Sequence, residues 1–226
     1  MVVAANGPDS VIWWAWVGDH LGEIGQRLTE HLVLAGQAVL AGVVISIPLA
    51  VLARRYPRLA GPILGVTGAL YTIPSLALLF LLGPLTGYTT QLTAEIALTS
   101  YTLLILIRNA LAGLQGVPPD VLEAADGMGY SPLQRLLRVE LPIALPSIMA
   151  GVRIAAVTTI GLVTIATLIG LGGLGALIYQ GLLRDFSTPA VVGSLLSVAL
   201  AVVVDAALLG VQTLLTPWSR RRRAMA

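Results

Sequence analysis

The sequence predicts an all-α integral membrane protein with five membrane-spanning helices, and three observations carry that expectation. Hydrophobic residues make up 57% of the 226 residues and charged residues 11%, with a mean hydropathy of +0.90; soluble domains carry roughly 25% charged residues. Five stretches reach the roughly 20 mostly apolar residues that a bilayer-crossing helix needs. The arginines alternate between the ends of those stretches as an alternating topology requires. In lipid the backbone of each span must satisfy itself, which helices do, so the fold class is all-α.

The first span is expected at about 31–53, ending at Arg54-Arg55-Tyr56-Pro57-Arg58. The second runs over about 59–82 and ends at Gly83-Pro84, the third over about 92–114, the fourth over about 143–169, and the fifth over about 189–215. All 13 basic residues are arginine. Arg54, Arg55, Arg58, Arg108, Arg135, Arg138, Arg153 and Arg220 to Arg223 fall on one side or at its membrane edge, and Arg27 and Arg184 on the other. Basic residues mark the cytoplasmic side. The predicted N-terminus is therefore outside, and the Arg-rich C-terminus and the 116–142 segment are cytoplasmic.

Residues 7–30 hold Trp13, Trp14 and Trp16 beside Asp9, Asp19 and Glu23. Indole rings favour the membrane–water interface, which predicts an amphipathic helix on the outer leaflet; a tail packed on the bundle is the alternative. The acidic residues interrupt any signal-peptide pattern.

A polar island, EAADGMGYSPLQRLLRVELP over 123–142, separates spans three and four. Pro118-Pro119 stops the preceding helix, and Asp120 with Glu123 has capping-box spacing. Gly127 and Gly129 are placed to end that short helix. Ser131, Pro132 and Gln134 then start a second one over about 132–140, with Leu133, Leu136 and Leu137 on one side, closed by Leu141-Pro142.

The island reads Glu123-Ala124-Ala125, three residues, Gly129, nine residues, the aliphatic Val139, one residue, then Leu141-Pro142. It resembles the cytoplasmic loop of bacterial ABC importer permeases, which usually have isoleucine where Val139 stands. YTIPSLA from Tyr71, LPIALPSIMAGVRIAA from Leu141 and IGLGGLG from Ile169 resemble the osmoprotectant branch of that binding-protein-dependent, type I family. Methionine-importer permeases share the five-span plan, and ergothioneine importers share the osmoprotectant-type permease.

The resemblance implies a MetI-like type I ABC importer permease fold and passage of a compatible solute such as glycine betaine, carnitine, choline or proline. It implies that Glu123, Ala124, Ala125 and Gly129, with Leu141 and Pro142 closing the loop, form a coupling helix that docks on a separate ATPase dimer. ATP and magnesium would be bound by that ATPase, leaving no cofactor on this chain. Further implied partners are a second permease copy or paralogue and an extracytoplasmic solute-binding protein. Nucleic acid is not implied. The resulting division is an outer segment 1–30, a permease domain 31–216 with its coupling loop at 116–142, and a cytoplasmic tail 217–226.

Inside the spans, Pro48, Pro74 and Pro146 kink helices, and Thr72, Pro74, Ser75 and Asp205 are candidate translocation-path residues. Asp205 lies mid-span, where an ionisable group is costly; pairing with Arg153, or with Arg108 beside Asn109, is expected. Gly36, Gly42, Gly61, Gly65, Gly68, Gly151 and Gly161 are expected to serve close packing. The Gly170–Gly175 run must break span four, with LGALIYQGLLRDF following along the outer surface. It does not read as a phosphate loop, since no strand precedes it and no lysine follows.

The chain has no cysteine and two histidines, His20 and His31. No metal-ligand spacing, Walker motif or nucleophile–base pair appears, so neither a catalytic nor a metal site is expected. Few aromatics lie in the spans, mainly Tyr71, Phe80 and Tyr101, too few for a tight cage around a quaternary ammonium. Recognition is therefore expected on a separate binding protein. A secondary transporter or a membrane scaffold are the rival classes; the first would not need the island, and the second would move no solute.

Overall fold

The computed structural model describes residues 11–218, so the Arg220–Arg223 run of the predicted tail lies outside the described residues. The described chain is helical: α1 Trp14–Asp19, α2 Leu21–Arg55, α3 Pro57–Thr72, α4 Ser75–Thr86, α5 Gln91–Gln115, α6 Pro119–Gly127, α7 Pro132–Arg135, a π turn Leu136–Glu140, α8 Leu141–Ala166, a 3-10 turn Thr167–Ile169, α9 Leu174–Leu183 and α10 Ser187–Leu215. Four uninterrupted segments are long and apolar enough to cross a membrane, and α3 with α4 forms a fifth as a bent pair.

Three boundaries differ from the sequence expectation. The helix that holds the first span begins at Leu21, so 21–30 is continuous with it, and α1 alone remains as a separate N-terminal helix. No helix-breaking residue separates Leu21 from His31, and glycines at 22 and 25 do not stop a helix whose neighbours are good formers. The second span breaks at Ile73-Pro74, with α3 and α4 at 101°. Pro74 leaves the helix at ψ 135° as the residue before α4, whereas Pro48 and Pro146 sit inside continuous helices. The span also runs past Gly83-Pro84 to Gly87, whose φ of +92° turns the chain.

The chain divides into two compact units, to both of which the long helices contribute. The first comprises 1–39, 73–99 and 156–204. Its core is Ile24, Leu174 and Leu177, packed by Trp16, Val17, Leu28, Val192, Leu196 and Leu200. In the stretch after the glycine run, α9 buries Leu174 and Leu177 completely and exposes Leu182 and Leu183. Phe186 meets Trp13 and Trp16 edge-on at 6.3 and 5.7 Å, and the Trp13 amide donates to Thr188 Oγ1 at 2.9 Å. Trp13 and Trp16 thus pack against the α9–α10 turn, while Trp14 is exposed.

The second unit comprises 40–72, 100–155 and 205–226. Its core gathers Ala50, Ala53, Ala110, Leu111, Leu114, Ala144 and Ile148. Small residues let the helices approach closely. A Cβ on Gly151 would meet the Asn109 Cβ at 2.6 Å, and one on Gly113 the Ala144 carbonyl oxygen at 2.9 Å. Gly42 likewise faces Thr102, while Gly36, Gly61, Gly65, Gly68 and Gly161 have open space. Of the seven glycines assigned to packing, two make their contact within the chain.

Candidate functional site

The segment between α5 and α8 is built by its turns. Helix α6 starts after Pro118, with Pro119 at its first position and no side-chain cap. The Asp120–Glu123 capping box therefore does not form. The fixed φ of Pro119 suits the first helical position, which starts the helix two residues earlier than an Asp120 cap would. Asp120 then lies inside the first turn, where its charge faces the positive helix end. Freed of that role, Glu123 points outward, and no side-chain bond is recorded for it among the described residues.

The other end of α6 follows expectation. Tyr130 N–H reaches the Ala125 carbonyl at 3.2 Å and Gly129 N–H the Asp126 carbonyl at 2.9 Å. These are the two bonds of a Schellman cap, with Gly129 at φ +77° in the left-handed position. Ala124 is exposed, whereas Ala125 is 1% exposed and turns inward. The alanine pair thus offers one methyl outward.

Ser131 and Gln134 form the expected capping box, at 3.3 and 2.9 Å. The helix they start does not close at Leu141-Pro142. It widens into the π turn, in which Leu141 N–H bonds back to Leu136 O, and continues unbroken into α8. Proline has no N–H, and its ring collides with the carbonyl four residues back in an α-helix. Widening the turn just before Pro142 accommodates that ring without ending the helix. Leu136 packs on the second unit's core, while Met128, Leu133 and Leu137 stand exposed.

Sequence reasoning missed the group that organises this segment. Arg135 Nη1 donates to both carboxylate oxygens of Asp126, at 2.8 and 2.7 Å, and its Nε donates to Glu140 Oε1 at 3.0 Å. Glu140 is 7% exposed, a burial a carboxylate tolerates only when paired. Beside it, Arg54, Arg55 and Arg135 line a cleft of about 360 Å3 with Val51, Leu114 and Leu136 as its apolar wall. No helix spacing signals these pairs: Asp126 and Arg135 are nine residues apart, Arg135 and Glu140 five.

The candidate path residues fall in different places. Thr72 ends α3 and donates to the Ala69 carbonyl at 2.7 Å, while Pro74 and Ser75 open α4. Neighbouring Tyr71 meets Tyr101 edge-on at 5.9 Å. Asp205 is held by Arg153 through two bonds, Nε–Oδ1 at 2.8 Å and Nη2–Oδ2 at 2.7 Å. Arg153, and not Arg108, is its partner. A fork-to-carboxylate pair of this kind is the strong form of ion pair and ties α8 to α10.

A second polar arrangement, also unforeseen, holds the glycine run. Gly170 and Gly173 take φ of +82° and +83°. Glu30 Oε2 accepts the Gly173 N–H at 3.0 Å, and His31 Nδ1 accepts the Leu174 N–H at 3.2 Å. His31 is fully buried, and its Nε2 donates to the Ile160 carbonyl at 2.9 Å. Two consecutive residues of α2 thereby cap the start of α9. Among the described residues no cluster of three or more potential metal ligands occurs.

Residues 42–220 match the family of binding-protein-dependent transport system inner membrane components. The chain belongs to this family. The permease is 37% identical to the choline transport system permease protein OpuBB of Bacillus subtilis (strain 168), over 89% of this chain and 92% of that one. It is 39% identical to the osmoprotectant import permease protein OsmW of Salmonella typhimurium, over 88% and 94%. Among solved structures, a chain of the methionine ABC transporter MetNI in an inward-facing conformation superposes with a TM-score of 0.77 at 24% identity, covering 88% of the permease and 98% of that chain. The permease therefore has the type I ABC importer permease fold and is a multi-pass inner-membrane protein of the osmoprotectant branch. It is a transport subunit, not an enzyme.

Proposed function

We propose that the permease carries a compatible solute of the glycine betaine, carnitine, choline or proline class inward, driven by an ATPase that docks on the segment around α6. The observation that carries this reading is 37–39% identity, over most of both chains, to permeases named for choline and osmoprotectant transport. The arginine distribution supports an outside N-terminus and a cytoplasmic α6 segment. Exposed Glu123, Ala124 and Gly129, joined by Met128, Leu133 and Leu137, form the docking face. Ala125, buried, supports that face from behind, and Leu141-Pro142 links it to α8. ATP and magnesium belong to the ATPase, the second half of the path to another permease copy or paralogue, and solute capture to an extracytoplasmic binding protein. Thr72, Pro74 and Ser75 line the path near the α3–α4 break, while Asp205 fixes its wall through Arg153.

Reversing the exposed charge with Glu123→Lys tests the reading in proteoliposomes holding permease, ATPase and binding protein. Uptake of glycine betaine, choline, carnitine or proline is expected to require the ATPase and to fall with ATPase pull-down in the variant. Uptake that persists without the ATPase would sink it, as would ATPase binding with no movement of any of these solutes.

A further inference from the structure

A docking face needs an exposed surface, but nothing in that role requires Arg135. Its single guanidinium joins Asp126, one residue beyond Ala125 on α6, to Glu140, the last residue before α8. α6 and α7 are also joined through the turn from Gly127 to Ser131, which contains Gly129 at φ +77° with open space around it.

The spacing of the second bond adds a geometric condition. At 3.6 residues per turn, side chains five positions apart point roughly 140° away from each other. The i to i−5 hydrogen bonding of a π turn brings them to one face. The Arg135–Glu140 bond thus accompanies the π register that precedes Pro142.

We propose that Arg135 is a positioning residue for coupling: by clamping Asp126 and Glu140 together, it makes α6, the π turn and the start of α8 move as one body. Displacement of α6 then reaches the membrane helix instead of being absorbed in the Gly127–Ser131 turn. This rests on the coupling reading above. Asp126 is the side to perturb, because its side chain is 55% exposed, whereas removing Arg135 would strand the buried Glu140.

Asp126→Ala is expected to leave ATPase binding and hydrolysis intact and to lower solute moved per ATP by up to about fivefold, the factor equivalent to the upper weight of a partly exposed ion pair, with partial rescue by Asp126→Glu. A cargo-independent measurement uses the absence of native cysteine. Nitroxide labels at Met128→Cys and Ile154→Cys should give a narrow distance distribution that broadens with Asp126→Ala. An unchanged distribution, or a loss of transport only in proportion to lost complex, overturns the clamp. Uptake by the unmodified permease without ATPase would instead overturn the coupling reading, and the label distances would still judge the clamp.

Discussion

His31 gives the sharpest test of how the glycine run is held. The Ile160 carbonyl can only accept and the Leu174 amide can only donate. The ring is therefore neutral, with its proton on Nε2 and its lone pair on Nδ1 facing Leu174. Leu174 is the first residue of α9, so its N–H has no partner within the helix. Replacing His31 by leucine keeps most of the volume but leaves that N–H buried and unpaired, at a cost of about 1–3 kcal/mol. At roughly 2–4 °C per kcal/mol for a chain of this size, a mid-range cost of about 2 kcal/mol predicts a melting point roughly 4–8 °C lower.

His31→Asn places its Oδ1 where Nδ1 stands and accepts the Leu174 N–H there, so it should lose less. The assay is tryptophan fluorescence during thermal unfolding of the purified permease in detergent. Trp13 and Trp16 pack against Phe186, in the same unit as α9, so the probe lies in the affected unit. If the leucine variant melts with the unmodified protein, or asparagine costs as much as leucine, the hydrogen bond to Leu174 is not what holds the turn.

Two further perturbations separate backbone strain from charge. Gly129→Ala meets no neighbouring atom but must hold φ +77°, at a cost of about 1–2 kcal/mol; the permease should fold, while ATPase pull-down weakens. Asp205→Asn removes one charge of a bidentate pair and leaves Arg153 uncompensated within the membrane, so the yield of folded permease should fall. Arg153→Met combined with Asp205→Leu should recover it, because replacing both partners of an ion pair by apolar groups is often neutral; equal losses in single and double variants would contradict the pairing.

The spans were legible because length and hydropathy act over about 20 residues and tolerate local exceptions. The π turn was not, since Pro142 reads equally as a helix terminator and as a ring that a widened turn absorbs. Pro74 looked like Pro48 and Pro146 in sequence, yet among these three it alone marks a break. The Schellman cap at Gly129 and the Ser131–Gln134 box were readable, being contained within six residues. The Asp120–Glu123 box failed because Pro118-Pro119 competed for the same helix start. Glu30 and His31 gave no signal, because their partners are backbone amides 143 residues away.

These polar contacts share a physical origin. Apolar burial separates helices from lipid poorly, since lipid tails are as apolar as leucine, so helix positions in a membrane depend on close packing and on hydrogen bonds. Every break in a membrane helix also releases backbone groups that need partners. In this permease the partners come from nearby side chains: Thr72 takes the Ala69 carbonyl before the α3–α4 break, and Glu30 and His31 take the amides at the start of α9. A segment held in this way has discrete positions, because leaving one set of partners requires reaching another.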